Sequence, residues 1–144
     1  MRTQDRDVGS FARVWRGEVD LKKSYKVETR TLTWRLEHSS HPKGYTVLKG
    51  RFKPDEKVLA YCYAELAVEA ARNVRLLLGR DDGLTLWLNG KRLYDVHDAF
   101  SIDRQEFEVE ASLDAGLNRI LVKSSQGSGD WQFYVRIVDR AGRK

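Results

Sequence analysis

The chain has very little of what cross-links or interrupts a fold: one cysteine and two prolines in 144 residues. Cys62 alone cannot form an internal disulfide, and no base or cation stands beside it in the sequence, which favours a buried, inert thiol. No apolar run approaches the ~20 residues that cross a bilayer. Residues 1–20 contain no hydrophobic segment of the kind that marks a signal peptide. These absences exclude a disulfide-stapled scaffold and argue against a helical membrane protein.

Positive charge is concentrated in the first part of the chain. Residues 1–60 hold 14 Lys and Arg against 8 Asp and Glu, whereas residues 61–144 hold 12 against 13. A basic half can bind acidic polymers. The residues that would then share one face are Arg13, Arg16, Lys22, Lys23, Lys26, Arg30 and Arg35. Because these residues are scattered among acids, a solvated basic face is the favoured interpretation, and the pattern argues against a nucleic-acid partner.

Alternation with a period of two dominates the chain and predicts short, half-buried strands. Leu84, Leu86 and Leu88 alternate with Thr85, Trp87 and Asn89. Similar alternation predicts strands over 31–36 and 45–52 and from residue 131 to the end of the domain. Residues 59–78 are rich in Ala and Glu, which favours helix by propensity, but alternation there predicts strand, a turn near 69–73, and strand. Turn signals every eight to twelve residues then predict an all-β, antiparallel two-sheet β-sandwich, jelly-roll-like.

The sequence shows no repeat and no internal domain boundary. We expect a flexible N-terminus over residues 1–10, a single sandwich domain over 11–139 and a C-terminal tail over 140–144. Asn89-Gly90 predicts a two-residue type I′ turn, in which both central residues have positive φ.

Four segments between Tyr61 and Asp139 carry a resemblance to a known family. They are Val74 to Gly83, Leu86-Trp87-Leu88-Asn89-Gly90-Lys91, Ala115 to Lys123, and Trp131-Gln132-Phe133. Their order resembles that of the galactose-binding-domain-like β-sandwiches, the jelly rolls of many carbohydrate-binding modules and of accessory domains of bacterial glycosidases. The resemblance implies a non-catalytic module of a larger, secreted enzyme, extracellular or periplasmic, that binds a glycan or polysaccharide.

The Asp81-Asp82-Gly83 turn also resembles the matching turn of protective-antigen-type lectin domains, as in yeast flocculins. In those lectin-like domains an adjacent Asp pair binds calcium, which holds sugar hydroxyls. Both carboxylates can reach one ion only if the turn distorts the backbone, as a cis peptide would. Further oxygen ligands would come from Asp95, Asp98, Asp130 or loop carbonyls. The alternative is that both aspartates cap backbone amides in a turn.

A sugar site would combine an exposed aromatic ring with polar loop residues. Trp131 and Trp87 are the expected platforms, with Tyr94 and Tyr134 as further aromatic candidates, and packing in the core is the alternative for each ring. Asp130, Gln126 and His97 are the expected polar ligand-binding residues. His38 and His41, without a third ligand nearby, are interpreted as surface residues of a loop.

Signals for catalysis are weak in this chain. The sequence has no nucleophile elbow and no phosphate-binding glycine loop. Glu106, Glu108 and Glu110 alternate with Phe107 and Val109, which is typical of a solvated strand face. We therefore expect a module that is not an enzyme. The alternatives are a structural or protein-interaction sandwich, marked by burial of both Trp87 and Trp131, and a basic-face binder of acidic polymers.

Overall fold

The structure is a computed structural model that describes residues 2–3, 19–27, 29–38, 41–53 and 56–139. Its described residues form eleven β-strands and no helix. The strands are β1 (Arg2–Thr3), β2 (Ser24–Val27), β3 (Arg30–Thr33), β4 (Thr46–Val47), β5 (Val58–Val68), β6 (Arg72–Asp81), β7 (Gly83–Leu88), β8 (Lys91–Val96), β9 (Phe107–Leu113), β10 (Gly116–Gln126) and β11 (Gln132–Val138). The predicted C-terminal tail, most of the predicted flexible N-terminus, and Arg13 and Arg16 lie outside the described residues.

The strands form two main antiparallel sheets. The five-stranded sheet has the order β1-β5-β10-β7-β8, and the four-stranded sheet has the order β4-β11-β6-β9. A separate two-stranded sheet pairs β2 with β3. This architecture confirms the predicted all-β antiparallel sandwich, and it also confirms strand, turn and strand over residues 59–78.

Period-two alternation decides which side chains fill the space between the two sheets. Leu84, Leu86 and Leu88 of β7 are at most 5% exposed and belong to the same hydrophobic cluster as Leu76 and Leu78 of β6. Their burial removes apolar surface from water, which is the main driving force for the packing.

The turn that joins β7 to β8 has the predicted geometry. The φ angles of Asn89 and Gly90 are 50° and 84°, so both central residues are left-handed, as a type I′ turn requires. The strand predicted over 45–52 is wrong in length, because only Thr46–Val47 pairs with β11. The chain turns immediately afterwards, where the Arg51 N–H donates to the Leu48 carbonyl at 3.0 Å.

The β2–β3 hairpin adds a third layer on the outer face of the five-stranded sheet. Tyr25 and Leu32 are cross-strand partners in this hairpin. Together with Val19 and Trp34 they pack against an apolar patch of the sheet. The buried residues of that patch are Leu59, Tyr61, Trp87 and Leu121. The N-terminal part of the chain therefore covers a sheet face that would otherwise be open to water.

Candidate binding site

The Asp81–Asp82 turn carries the chain from the four-stranded sheet to the five-stranded sheet. β6 ends at Asp81, β7 begins at Gly83, and the peptide bond between Asp81 and Asp82 is cis. Backbone crowding explains the glycine: a Cβ at Gly83 would overlap the Ser125 hydroxyl and lie 3.0 Å from the Val96 carbonyl oxygen. The turn and the neighbouring strands therefore pack so closely that position 83 has no room for a side chain.

Asp82 ties two loops to this turn. Its Oδ1 accepts a hydrogen bond from the Phe100 N–H at 3.2 Å, and its Oδ2 accepts one from the Gly127 N–H at 2.8 Å. Its own N–H donates to the Ser125 carbonyl at 3.1 Å. These bonds show the turn-capping role that the sequence left open for Asp82.

Asp81 has a different environment, on the outer face of the four-stranded sheet. The residue is 7% exposed and lies opposite Gln132 of β11. Burial raises the pKa of its carboxyl group to about 6, and the nearby charges of Asp82 and Asp130 add to this, whereas a hydrogen bond from the backbone of Ile102 acts to lower it. Asp81 is therefore a carboxylate whose charge has little compensation.

The other acids proposed as calcium ligands are divided among different partners. Asp98 forms an ion pair with the buried Arg80, whose guanidinium also donates to the Asp82 carbonyl at 3.1 Å. Asp95 lies 2.6 Å from His97 Nε2. Of these three acids, Asp130 acts on the Asp81 carboxyl group, whereas Asp95 and Asp98 are paired with His97 and Arg80. Their role as calcium ligands stays a prediction.

A metal ion would need more ligands than the described residues bring together here. Within residues 19–139, apart from the short gaps stated above, no group of three or more His, Cys, Asp or Glu side chains is placed to hold a metal ion. Both carboxylate oxygens of Asp82 already accept backbone N–H groups. A calcium ion here would need backbone carbonyls or water to complete its ligand set, and calcium at Asp81 and Asp82 stays a prediction.

A stack of three aromatic rings lies on the same outer face. The His41 and Tyr45 rings are 4.6 Å apart and nearly parallel, and the Tyr45 and Tyr134 rings are 5.4 Å apart. The Tyr134 ring covers Gly79, where a Cβ would overlap it. Tyr45 and Tyr134 are buried, and His41 is the half-buried outer ring.

Polar contacts hold the inner ring of this stack in place. The Tyr134 hydroxyl donates to Glu106 Oε2 at 2.6 Å, and burial together with this carboxylate raises the pKa of the hydroxyl. The Arg136 guanidinium lies over the Tyr134 ring, 4.3 Å from its centroid. Tyr134 is thus fixed on both its ring face and its hydroxyl.

The ring stack adjoins the Asp81 carboxylate. Tyr134 lies opposite Gly79 in the sheet register, and Asp81 is two residues further along the same face of β6. Ile102 connects the two features, because its side chain packs with Tyr45 and Tyr134 while its backbone hydrogen-bonds Asp81. Sequence reasoning identified Asp81 and Tyr134 separately and interpreted His41 only as a loop residue, since nothing local relates positions 41, 81 and 134.

The expected platforms Trp131 and Trp87 are both buried, which corrects the expectation of exposed rings at these positions. Trp131 is 0% exposed, and its Nε1 donates to Ser124 Oγ at 3.0 Å. Trp87 points away from the Leu84 face, as its alternation indicates, but the β2–β3 hairpin covers it and leaves it 6% exposed beside Tyr61. Neither ring offers a free face to a ligand in this structure.

The three expected polar residues lie near the turn in different environments. Gln126 is 3% exposed, and its Nε2 donates to the Gly129 carbonyl at 2.8 Å, whereas Asp130 is exposed. His97 Nε2 and the Thr85 hydroxyl contact the same oxygen of Asp95. The same His97 nitrogen also lies 3.4 Å from the Thr85 hydroxyl. A catalytic triad uses one ring nitrogen for the nucleophile and the other for the acid, so this trio lacks that geometry.

Only some of the basic residues that are expected to share one face lie within the described residues. Lys22, Lys23 and Lys26 are exposed in or near the β2–β3 hairpin. Arg35 is exposed as well, but it forms a 3.0 Å ion pair with Glu37. The N-terminal layer thus carries three exposed lysines, of which Lys23 lies 5.2 Å from the centroid of the Tyr25 ring, and one paired arginine.

Fold and site together define an all-β antiparallel sandwich whose turn end combines acidic and aromatic side chains. Comparisons with models of protein families, with curated proteins and with solved structures find no match to this chain. In the part of the chain that the structure describes, no helix has the length and apolar character to cross a membrane.

Proposed function

We propose that this chain is a non-catalytic carbohydrate-binding or accessory module of a larger, secreted enzyme, with its glycan site on the outer face around Asp81. One observation carries the proposal: the Asp81 carboxylate lies beside the His41–Tyr45–Tyr134 ring stack on one sheet face. A carboxylate next to an aromatic ring suits a sugar, because hydroxyls bond to the acid while the C–H face of the sugar ring packs on the aromatic group.

Each member of this site would have a distinct role. Asp81, and the exposed Asp130 that acts on it, would accept hydrogen bonds from sugar hydroxyls. The half-buried His41 would present the outermost ring, with Tyr45 and Tyr134 behind it fixing its position. The lectin resemblance adds calcium at Asp81 and Asp82, whose charge would compensate these carboxylates. The proposal for Asp81 and His41 does not depend on that ion.

A glycan array with the 144-residue chain tests the proposal, read in calcium, in chelator and in ~0.5 M salt, where surface charge interactions are largely screened. We expect binding that Asp81→Asn and His41→Ala each weaken. The matched control is His38→Ala, which removes an exposed histidine from the same loop. Loss of binding in chelator would support calcium. Loss only in salt would instead indicate the basic N-terminal layer.

Burial of Trp87 and Trp131 favours a second candidate, a structural or protein-interaction sandwich without a sugar site. Both rings stabilise the fold in such a module, and neither presents a face at the described surface. The same array separates the two candidates, because no glycan binding under any condition would overturn the first and leave the second.

A further inference from the structure

Among the strands at the margins of the two main sheets, β9 offers the longest regular edge. Within the described residues, β1 and β8 end one sheet, and β4 and β9 end the other. β1 and β4 are two residues long, and the pairing of β8 with β7 shifts register between Leu86 and Trp87. β9 pairs with β6 in unbroken register over all seven of its residues. Short strands and bulges are devices by which a sheet edge resists a further strand, and β9 has neither.

The inward-facing side chains of β9 leave the core incompletely covered at this edge. Val109 and Ala111 pack against the core cluster but are only half-buried, as is Leu93 of the facing edge strand β8. Their cross-strand partners on β6, Leu76 and Val74, are 1% and 4% exposed. A further strand beside β9 would place its inward side chains against these half-buried residues and remove apolar surface from water.

The outward-facing side chains of β9 carry negative charge. Glu108 and Glu110 are both exposed. Glu108 is paired with Arg75 at 2.8 Å, whereas Glu110 has no hydrogen-bond or ion-pair partner within the described residues. Residues directly opposite each other on paired strands lie ~5 Å apart, so cations on an added strand would meet these carboxylates. Lys91 is exposed as well, but it belongs to the other sheet, and packed sheets are ~10 Å apart, where salt screens exposed charges.

A cavity of about 380 Å³ adjoins this edge, and its lining includes residues from both faces of β9. Glu110 and Ala111 both line it, although successive side chains of a strand point to opposite faces. A compact ligand held against one face would not contact both side chains. A paired strand would, because its own side chains alternate with the same period.

We propose that β9 accepts an extended segment of a partner protein as a fifth strand of the four-stranded sheet. The segment carries lysine or arginine at its outward positions, beside Glu108 and Glu110, and aliphatic residues at its inward positions, beside Val109 and Ala111. Backbone hydrogen bonds along the edge supply affinity, and the alternating side chains supply specificity. This surface is additional to the proposed glycan site and does not depend on it.

Charge argues against a second copy of this chain as the occupant. Antiparallel pairing of β9 with β9 of another molecule would set the Glu108 and Glu110 rows beside each other, and like charges opposite one another destabilise a strand pair. The edge therefore fits a basic segment better than it fits itself.

The test uses a peptide as long as β9, acetylated and amidated, in which lysine and valine alternate and lysine stands at both ends. It is titrated into the ¹⁵N-labelled 144-residue chain in ~0.15 M salt, and amide shifts and hydrogen exchange are recorded. We expect saturable shifts centred on β9. Exchange should slow at every second amide from Phe107 to Leu113, because only alternate N–H groups of an edge strand face an added strand.

Control peptides separate strand addition from attraction between charges. A peptide of the same composition, with lysines and valines in two blocks, should not slow exchange in β9. Two further peptides keep the alternating sequence and carry N-methyl groups on one or the other alternate set of backbone nitrogens. Methylation of the set that faces β9 should abolish binding, whereas methylation of the other set should leave it intact, because only the first removes hydrogen bonds to the edge.

A substitution on β9 tests the charge of the outward row. Glu110→Lys should weaken the apparent affinity by about fivefold, since an attractive cross-strand pair becomes a repulsive one. Because Glu110 is exposed, we expect this variant to fold, and its amide spectrum verifies that. Glu69→Lys, which makes the same charge change on the exposed turn between β5 and β6, is the matched control and should leave the affinity nearly unchanged.

Four results would overturn the inference: no shift in β9, equal slowing of exchange by the block peptide, binding that tolerates both patterns of methylation, or equal affinities of Glu110→Lys and Glu69→Lys. Sedimentation of the chain alone supplies a further check. Dimers whose β9 amides are protected without peptide would assign this edge to a second copy and would also overturn the proposed partner.

Discussion

The side-chain amide of Asn89 donates a hydrogen bond to Oδ1 of Asn118 at 2.9 Å, joining two turns that are 29 residues apart. Asn118 is fully buried, and its Oδ1 also accepts the Asp114 N–H at 2.8 Å. Its Nδ2 donates to the carbonyls of Asp114 and Gly116. The Asn-Gly hairpin and the later Gly-x-Asn strand, which carry the family resemblance, therefore act here as a structural lock between turns.

Replacing Asn118 should be strongly destabilising. Asn118→Ala removes both acceptor and donor and leaves buried backbone groups of the neighbouring turn without partners, so we expect a loss of about 3 kcal/mol in the free energy of unfolding. Urea unfolding measures this loss. Asn73→Ala is the comparison, because Asn73 is exposed and has a single bond to Ser112; it should cost less than about 1 kcal/mol. Equal losses of stability in the two variants would contradict a special role of Asn118 in joining the two turns.

Asp81 should make stability fall as pH rises. Its pKa is about 6 in the folded chain and 3.8 in the reference state, so between these values the folded state holds a proton that the unfolded state has released. Stability due to Asp81 is therefore present below about pH 4 and is lost as pH rises through about 6, by up to about 3 kcal/mol. Asp81→Asn keeps an acceptor for the Ile102 N–H and removes this loss.

The comparison is made by urea unfolding in chelator from about pH 4 to pH 8, the window that these pKa values define. We expect the Asp81→Asn variant to match the unmodified chain at the acid end and to be more stable at the alkaline end. Glu69→Gln, on an exposed turn, should show no such divergence. If Asp81→Asn were less stable than the unmodified chain across the whole pH range, the raised pKa of Asp81 would be refuted.

Local patterns predicted most of the fold because its core strands follow one physical rule. Alternation places Leu84, Leu86 and Leu88 between the sheets, and Asn89-Gly90 supplies the left-handed turn, with no long-range information required. The third layer could not be predicted in this way. Its hairpin has ordinary alternation, and only tertiary contact shows that Tyr25 and Leu32 cover Trp87.

The hairpin layer should depend on Leu32. Leu32→Asp places a charge in the apolar contact with the five-stranded sheet, and we expect undocking of the hairpin at a cost of about 2–3 kcal/mol. Hydrogen exchange should then accelerate in β2 and β3 while β6 and β7 stay protected, and binding of a hydrophobic dye should rise as Trp87 and Tyr61 become exposed. Thr31→Asp, on the exposed face of the same strand, is the control. Similar exchange in both variants would show that the layer is not held by this apolar contact.

The candidate site was less accessible to sequence reasoning than the core. Local alternation indicates which face of a strand an aromatic residue occupies, but not what covers that face. Trp87 is outward on its strand and still buried, whereas His41, an unremarkable loop residue in the sequence, is the outer ring of a stack. Sites built from side chains at positions 41, 81 and 134 depend on strand order, and strand order has no local signature in this chain.

Trp131 should affect stability rather than ligand recognition. The ring is fully buried and packs against Phe52, and its Nε1 bonds to Ser124. Trp131→Ala should cost about 3–5 kcal/mol. Trp131→Phe, which keeps most of the apolar volume but loses the bond to Ser124, should cost about 1–2 kcal/mol. Glycan binding per folded molecule should be the same in Trp131→Phe as in the unmodified chain, whereas His41→Ala should show the reverse pattern, with weaker binding and little change in stability. If Trp131→Phe abolished binding without lowering stability, the ring would be a ligand platform after all, and the site around Asp81 would have to be abandoned.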